Sequence, residues 1–162
     1  MTAYDSTSGG GRARRAPVQL AALVVGVMFL LVGAAGFIPG VTTNFSDLSF
    51  AGHHSSAMLL GIFAVSVLHN IVHLAFGVAG VAMARTFMAA RLYLIVGGVI
   101  YAVLWIYGLV IDHDSGANFV PVNTADNWLH LGLAIGMLGL GAILGRNAVP
   151  AGARVSSSRP HA

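Results

Sequence analysis

The chain contains no cysteine, no lysine and no glutamate, and only 8% of its 162 residues are charged. Without cysteine there can be no disulfide, no thiolate-held metal and no thiol chemistry. With no glutamate and five aspartates there is little material for a hydrolytic carboxylate pair. Glycine-rich phosphate loops, Gly-x-Ser-x-Gly and His-Glu-x-x-His are missing too. A soluble domain carries roughly 25% charged residues, so the charge deficit excludes an ordinary soluble globule.

What is present is apolar: 57% of the residues are hydrophobic. Four stretches, 18–38, 57–84, 92–111 and 128–144, are long enough to approach or exceed the roughly 20 residues that cross a bilayer. The last is short, and a helix beginning at Asn123 or Thr124 would lengthen it. The first is too long for the apolar core of a secretory signal and reads as a retained anchor. Pro39-Gly40 ends it.

The basic residues are all arginine, at positions 12, 14, 15, 85, 91, 146, 154 and 159. They fall before the first span, between the second and third, and after the fourth. Asp47, Asp112, Asp114 and Asp126 fall in the other two connections. This segregation predicts a multi-pass membrane protein with both termini in the cytoplasm and the acidic loops outside. The basic side is accounted for by anionic lipid headgroups, so the expected partners are the lipid bilayer and a second copy or another membrane protein, and not nucleic acid. The expected organisation is a disordered cytoplasmic tail over 1–16, a transmembrane domain over 17–146 and a second cytoplasmic tail over 147–162.

Two polar runs interrupt the apolar chain. Ser66, His69, Asn70 and His73 recur at i, i+3, i+4 and i+7, and so do Asn123, Asp126, Asn127 and His130. Each set marks one face of a helix. Polar groups in hydrocarbon need partners, so the two stripes predict a shared seam between helices 2 and 4. Both runs end in Asn-x-x-His-Leu.

A weak internal repeat accompanies them. Leu23-Val-Val-Gly26 parallels Leu94-Ile-Val-Gly97, Asn44-Phe45 parallels Asn118-Phe119, and Arg85 parallels Arg146. The offsets drift between 57 and 74, which implies an insertion of roughly 17 residues in the first half. The architecture expected is all-α: a polytopic membrane four-helix bundle of two parallel helical hairpins.

The seam admits three chemistries. In the first it is packing: Asn123 or Thr124 caps a helix, Asp126 meets the helix dipole, and the remaining groups hydrogen-bond between helices. In the second, His69, His73 and His130 ligate a metal or haem iron, with Asp126 orienting His130. In the third the cluster is proton- or quinone-linked. The first makes the protein non-enzymatic. Loop histidines 53, 54 and 113 read as solvated, and Gly132-x-x-x-Gly136 and Gly141-x-x-x-Gly145 as packing within the chain.

Several stretches resemble a known family: 17–22, Thr42-Thr-Asn-Phe45, Val67-Leu-His-Asn-Ile-Val-His-Leu74, and Asn118 through His130. It comprises small four-span bacterial membrane proteins, common in high-GC Gram-positive organisms and catalogued only as a domain of unknown function. The likeness covers about residues 15–146 and implies four membrane helices without implying an activity.

Overall fold

The computed structural model describes residues 15–52 and 54–146. The expected tails and the expectations for His53 and His161 lie outside the described residues. Four helices carry the fold: α1 Pro17–Ala35, α2 Val67–Met83, α3 Phe87–Val110 and α4 Thr124–Ile143. Between α1 and α2 lie three short strands, β1 Thr42–Thr43, β2 Met58–Leu59 and β3 Phe63–Ala64. They form an antiparallel sheet in that order, with Thr42 opposite Leu59 and Met58 opposite Ala64.

Three helical stretches, Pro17–Ala35, Phe87–Val110 and Thr124–Arg146, are long and apolar enough to cross a membrane. α2 is equally apolar but has 17 residues. At 1.5 Å per residue it spans about 25 Å, short of the ~30 Å hydrocarbon core.

The sequence predicts one span over 57–84, and here the structure differs. Residues 57–66 supply β2, β3 and the cap of α2 instead of its first turns. Leu60 and Gly61 both take positive φ, 55° and 70°, and turn the chain between the strands. A continuous apolar run cannot separate buried strand from helix by periodicity. Backbone off the helix is sustainable beside a membrane when it is covered and paired within the protein. Ala57, Leu59 and Val65 are buried against Val32, Val41 and Leu48. Val65 N–H donates to Ala57 and Leu60 N–H to Val41.

The helices pack as two close pairs, α1 on α2 and α3 on α4. Small residues make the close approach in both pairs, at corresponding positions. A methyl group at Gly26 would sit 2.8 Å from the Val81 nitrogen and 3.0 Å from the Gly77 oxygen. One at Gly98 would sit 2.9 Å from the Leu138 nitrogen and 3.2 Å from the Ala134 oxygen. Gly26 and Gly98 differ by 72 positions; Gly77 and Ala134, and Val81 and Leu138, differ by 57. The sequence alignment therefore needs a correction of one residue: Gly26 corresponds to Gly98, not to Gly97. The first connection is then 15 residues longer than the second, and the excess is spent on the hairpin.

Two further expectations are revised. Tyr93, which by its place near the inner end of the third apolar stretch is expected as an interfacial aromatic, is buried against Phe76 and Gly80. Gly132 and Gly136 have nothing within 4 Å of where a methyl group would stand, so they do not pack within the chain. Gly141 and Gly145 do, against Ile95 and Arg91.

The charges separate to the two ends. Gln19 Nε2 donates to the carbonyls of Ala84 and Arg85, joining the start of α1 to the α2–α3 turn. Arg15, Arg85, Arg91 and Arg146 lie at this end. At the other, Gly52 N–H donates to Phe119 and ties the two long connections together.

Candidate functional site

The stripe residues divide by position along the helix. Ser66 caps α2, its hydroxyl accepting from His69 N–H at 3.1 Å. Asn123 caps α4, its Oδ1 accepting from Asp126 N–H at 2.9 Å. Both extend the chain into the helix and satisfy a first-turn amide that hydrocarbon cannot.

One turn on, Asn70 and Asn127 fill matching notches. Any side chain at Gly36 would collide with the Asn70 amide, and any at Gly108 with the Asn127 amide. Gly36 and Gly108 again differ by 72, Asn70 and Asn127 by 57. One amide atom of each, Asn70 Nδ2 and Asn127 Oδ1, has no hydrogen-bond partner.

Asp126 has a partner the sequence did not suggest. Its Oδ2 accepts from Ala64 N–H at 2.9 Å and from Asn123 N–H at 3.0 Å. Asn123 Nδ2 also donates to Ile62 at 2.8 Å. The carboxylate joins the hairpin to α4, where the sequence reading had it orienting His130. Its counterpart in the repeat is His69, a buried ring whose Nδ1 has no hydrogen-bond partner. Pro121 is the counterpart of Ala64. Proline offers no N–H, so there is no amide here for a carboxylate to hold.

The three imidazoles are buried, with His69 7% and His130 6% exposed. His73 Nδ1 lies 3.0 Å from the His69 carbonyl. A carbonyl only accepts, so Nδ1 holds the proton and Nε2 of the neutral ring is an acceptor. His69 and His73 stack at 4.5 Å with planes 19° apart. His69 Nδ1 and His130 Nδ1 have no hydrogen-bond partner.

Two rings the sequence reading passed over complete the centre. Phe29 of α1 lies 5.5 Å from His73 at 49°, and Tyr101 of α3 lies 5.4 Å from His130 at 48°. Phe29 and Tyr101 differ by 72, His73 and His130 by 57. Each helix thus gives one ring. The sequence signal was available as the offset that relates Gly26 to Gly98.

His69, His73, His130 and Tyr101 line one cavity of about 360 Å³ with Val72 and Val103 at its edge. The structure therefore brings the three candidate ligands to one space. Among the described residues, no three His or Asp side chains are arranged to hold a metal ion.

Four helices, three of them long enough to span a bilayer, around a buried polar seam define a membrane-embedded helical protein. A family described as a domain of unknown function, DUF4383, matches residues 19–143. The chain belongs to that family. No curated protein and no solved structure matches it.

Proposed function

We propose that the chain is a non-enzymatic multi-pass protein of the bacterial cytoplasmic membrane that binds a small molecule drawn from the bilayer. The supporting observation is how the polar seam is spent. Ser66 and Asn123 cap helices, Asp126 holds the hairpin, and Asn70 and Asn127 fill glycine notches. Those residues build the fold. The three imidazoles are left facing the cavity of about 360 Å³ beside Tyr101 and Tyr107, and ligand sites are typically apolar spaces of 300–1,000 Å³ with a few placed polar groups.

Orientation follows from charge. Arginine at one end and aspartate at the other support cytoplasmic termini. Single cysteines in this cysteine-free chain test it. A cysteine at Phe50 or Gly116 is expected to react with an impermeant maleimide in intact cells, and one at Met88 to be protected. The reverse pattern inverts the topology.

The metal or haem reading uses the same three imidazoles. Parallel stacking of His69 on His73 weighs against it, because stacked rings direct their nitrogens along side-by-side planes and not toward one point. Tight binding of a small aromatic by purified protein, blocked by bulk at the cavity, supports a binding role; a cavity that takes up no aromatic probe refutes it.

A further inference from the structure

The two halves of the chain make two corresponding clefts of different size. The α2–α3 cleft is bordered by Val72, Tyr101, Leu104 and His130. Their counterparts Leu129, Phe29, Val32 and His73 border the cleft between α4 and α1. The hairpin closes the outer end of that second cleft: Leu59, Leu60 and Phe63 reduce the space beneath them to about 110 Å³ beside His73 and Asp126. The rest of the α4–α1 cleft keeps about 240 Å³, and the α2–α3 cleft, which has no such insertion, about 360 Å³. Val72 and Val103 at its edge are 43% and 59% exposed on helix faces that meet acyl chains. A ligand therefore enters sideways from lipid.

The polar side chains at this cavity are the three imidazoles and the hydroxyls of Tyr101 and Tyr107. Nε2 of His73 is an acceptor, because its Nδ1 proton is held by the His69 carbonyl. Nδ1 of His69 and Nδ1 of His130 are buried without a partner beside it. A ligand whose oxygens only accept would leave the His73 lone pair unmatched in an apolar space, which costs affinity. Size points to a ring, since a cavity of about 150 Å³ accepts benzene.

We infer that the α2–α3 cavity binds one lipid-soluble hydroxylated ring, of the phenol or hydroquinone class, whose hydroxyl donates to His73 Nε2. This rests on the binding role proposed above and adds the donor requirement and the side of entry.

The test uses full-length protein in lipid nanodiscs, with empty nanodiscs subtracted. The probes are 2,3,5,6-tetramethylphenol and its methyl ether, which share the ring but not the donor. The phenol is expected to bind saturably at one per chain, and the ether at least tenfold more weakly. Val103→Trp, on an exposed helix face, is expected to abolish phenol binding. Leu129→Trp, at the equivalent place in the smaller α4–α1 cleft, is expected to leave it unchanged. His73→Phe keeps a ring against Phe29 and should equalise phenol and ether. If both probes bind equally and Val103→Trp blocks both, the binding role stands and the donor assignment is overturned. If neither binds, both are overturned. If Leu129→Trp blocks binding as fully as Val103→Trp, the assignment to the α2–α3 cleft fails. The exposed Trp variants decide the matter even if His73→Phe does not fold.

Discussion

Phe29 and Tyr101 stack almost in parallel, 6° apart with centroids 5.6 Å from one another, where the two halves of the chain exchange. At that separation the rings are offset, the arrangement their quadrupoles prefer. Each also lies against a histidine of its own half. Tyr101→Phe preserves every ring contact and should change stability by less than about 1 kcal/mol. Tyr101→Ala removes the centre and should cost ~3–5 kcal/mol. Thermal unfolding of detergent-purified variants measures the contrast.

The glycines sort into two groups with opposite expectations. Gly26→Ala and Gly98→Ala push a methyl into the backbone of the paired helix, and overpacking of this kind costs ~1–3 kcal/mol. Gly132→Ala and Gly136→Ala meet open space and gain helix propensity, so they should be neutral or mildly stabilising in the isolated monomer. Equal damage from the two groups would mean that the helix pairing is wrong.

Gly36 and Asn70 form a coupled pair, as do Gly108 and Asn127. Gly36→Ala should destabilise, and Asn70→Ala should relieve much of that cost by vacating the notch. A double-mutant cycle is expected to return a coupling of ~0.5–3 kcal/mol for each pair, whereas the cross-pair Gly36 with Asn127 should be additive.

Asp126 fastens the hairpin to α4. Asp126→Ala strands the Ala64 amide, and a buried donor left unmet costs ~1–3 kcal/mol. Asp126→Asn retains one acceptor oxygen and should be milder. Hydrogen exchange locates the effect: protection should fall at Phe63 to Val65 in Asp126→Ala, while α1 and α3 stay protected.

Much of this was legible in the sequence. The four apolar stretches, the arginine and aspartate partition, and the Asn123 cap are direct consequences of burial and helix-end chemistry. The stripes gave one polar face to each of two helices, and His69, His73 and His130 from those faces line one cavity, although α2 packs on α1 and α4 on α3 rather than on each other. What stayed hidden depends on neighbours distant in sequence. Ser66 lies on the stripe by spacing but serves as a cap, because the helix starts ten residues later than the apolar run. Asp126 pairs with the Ala64 amide, a main-chain group that no residue pattern reveals. Phe29 and Tyr101 look like any apolar residues until the repeat is aligned at 72 rather than 71.

The most direct test of the central claim is a visible absorption spectrum with elemental analysis on detergent-purified protein, repeated for His73→Gln and His130→Gln. The claim is that His69, His73 and His130 line a site for an organic ligand, with His73 as hydrogen-bond acceptor. The expected result is no Soret band and no stoichiometric metal in any of the three preparations. A stoichiometric metal or a Soret band in the parent chain, lost in both variants, would contradict the claim and make the imidazoles metal ligands.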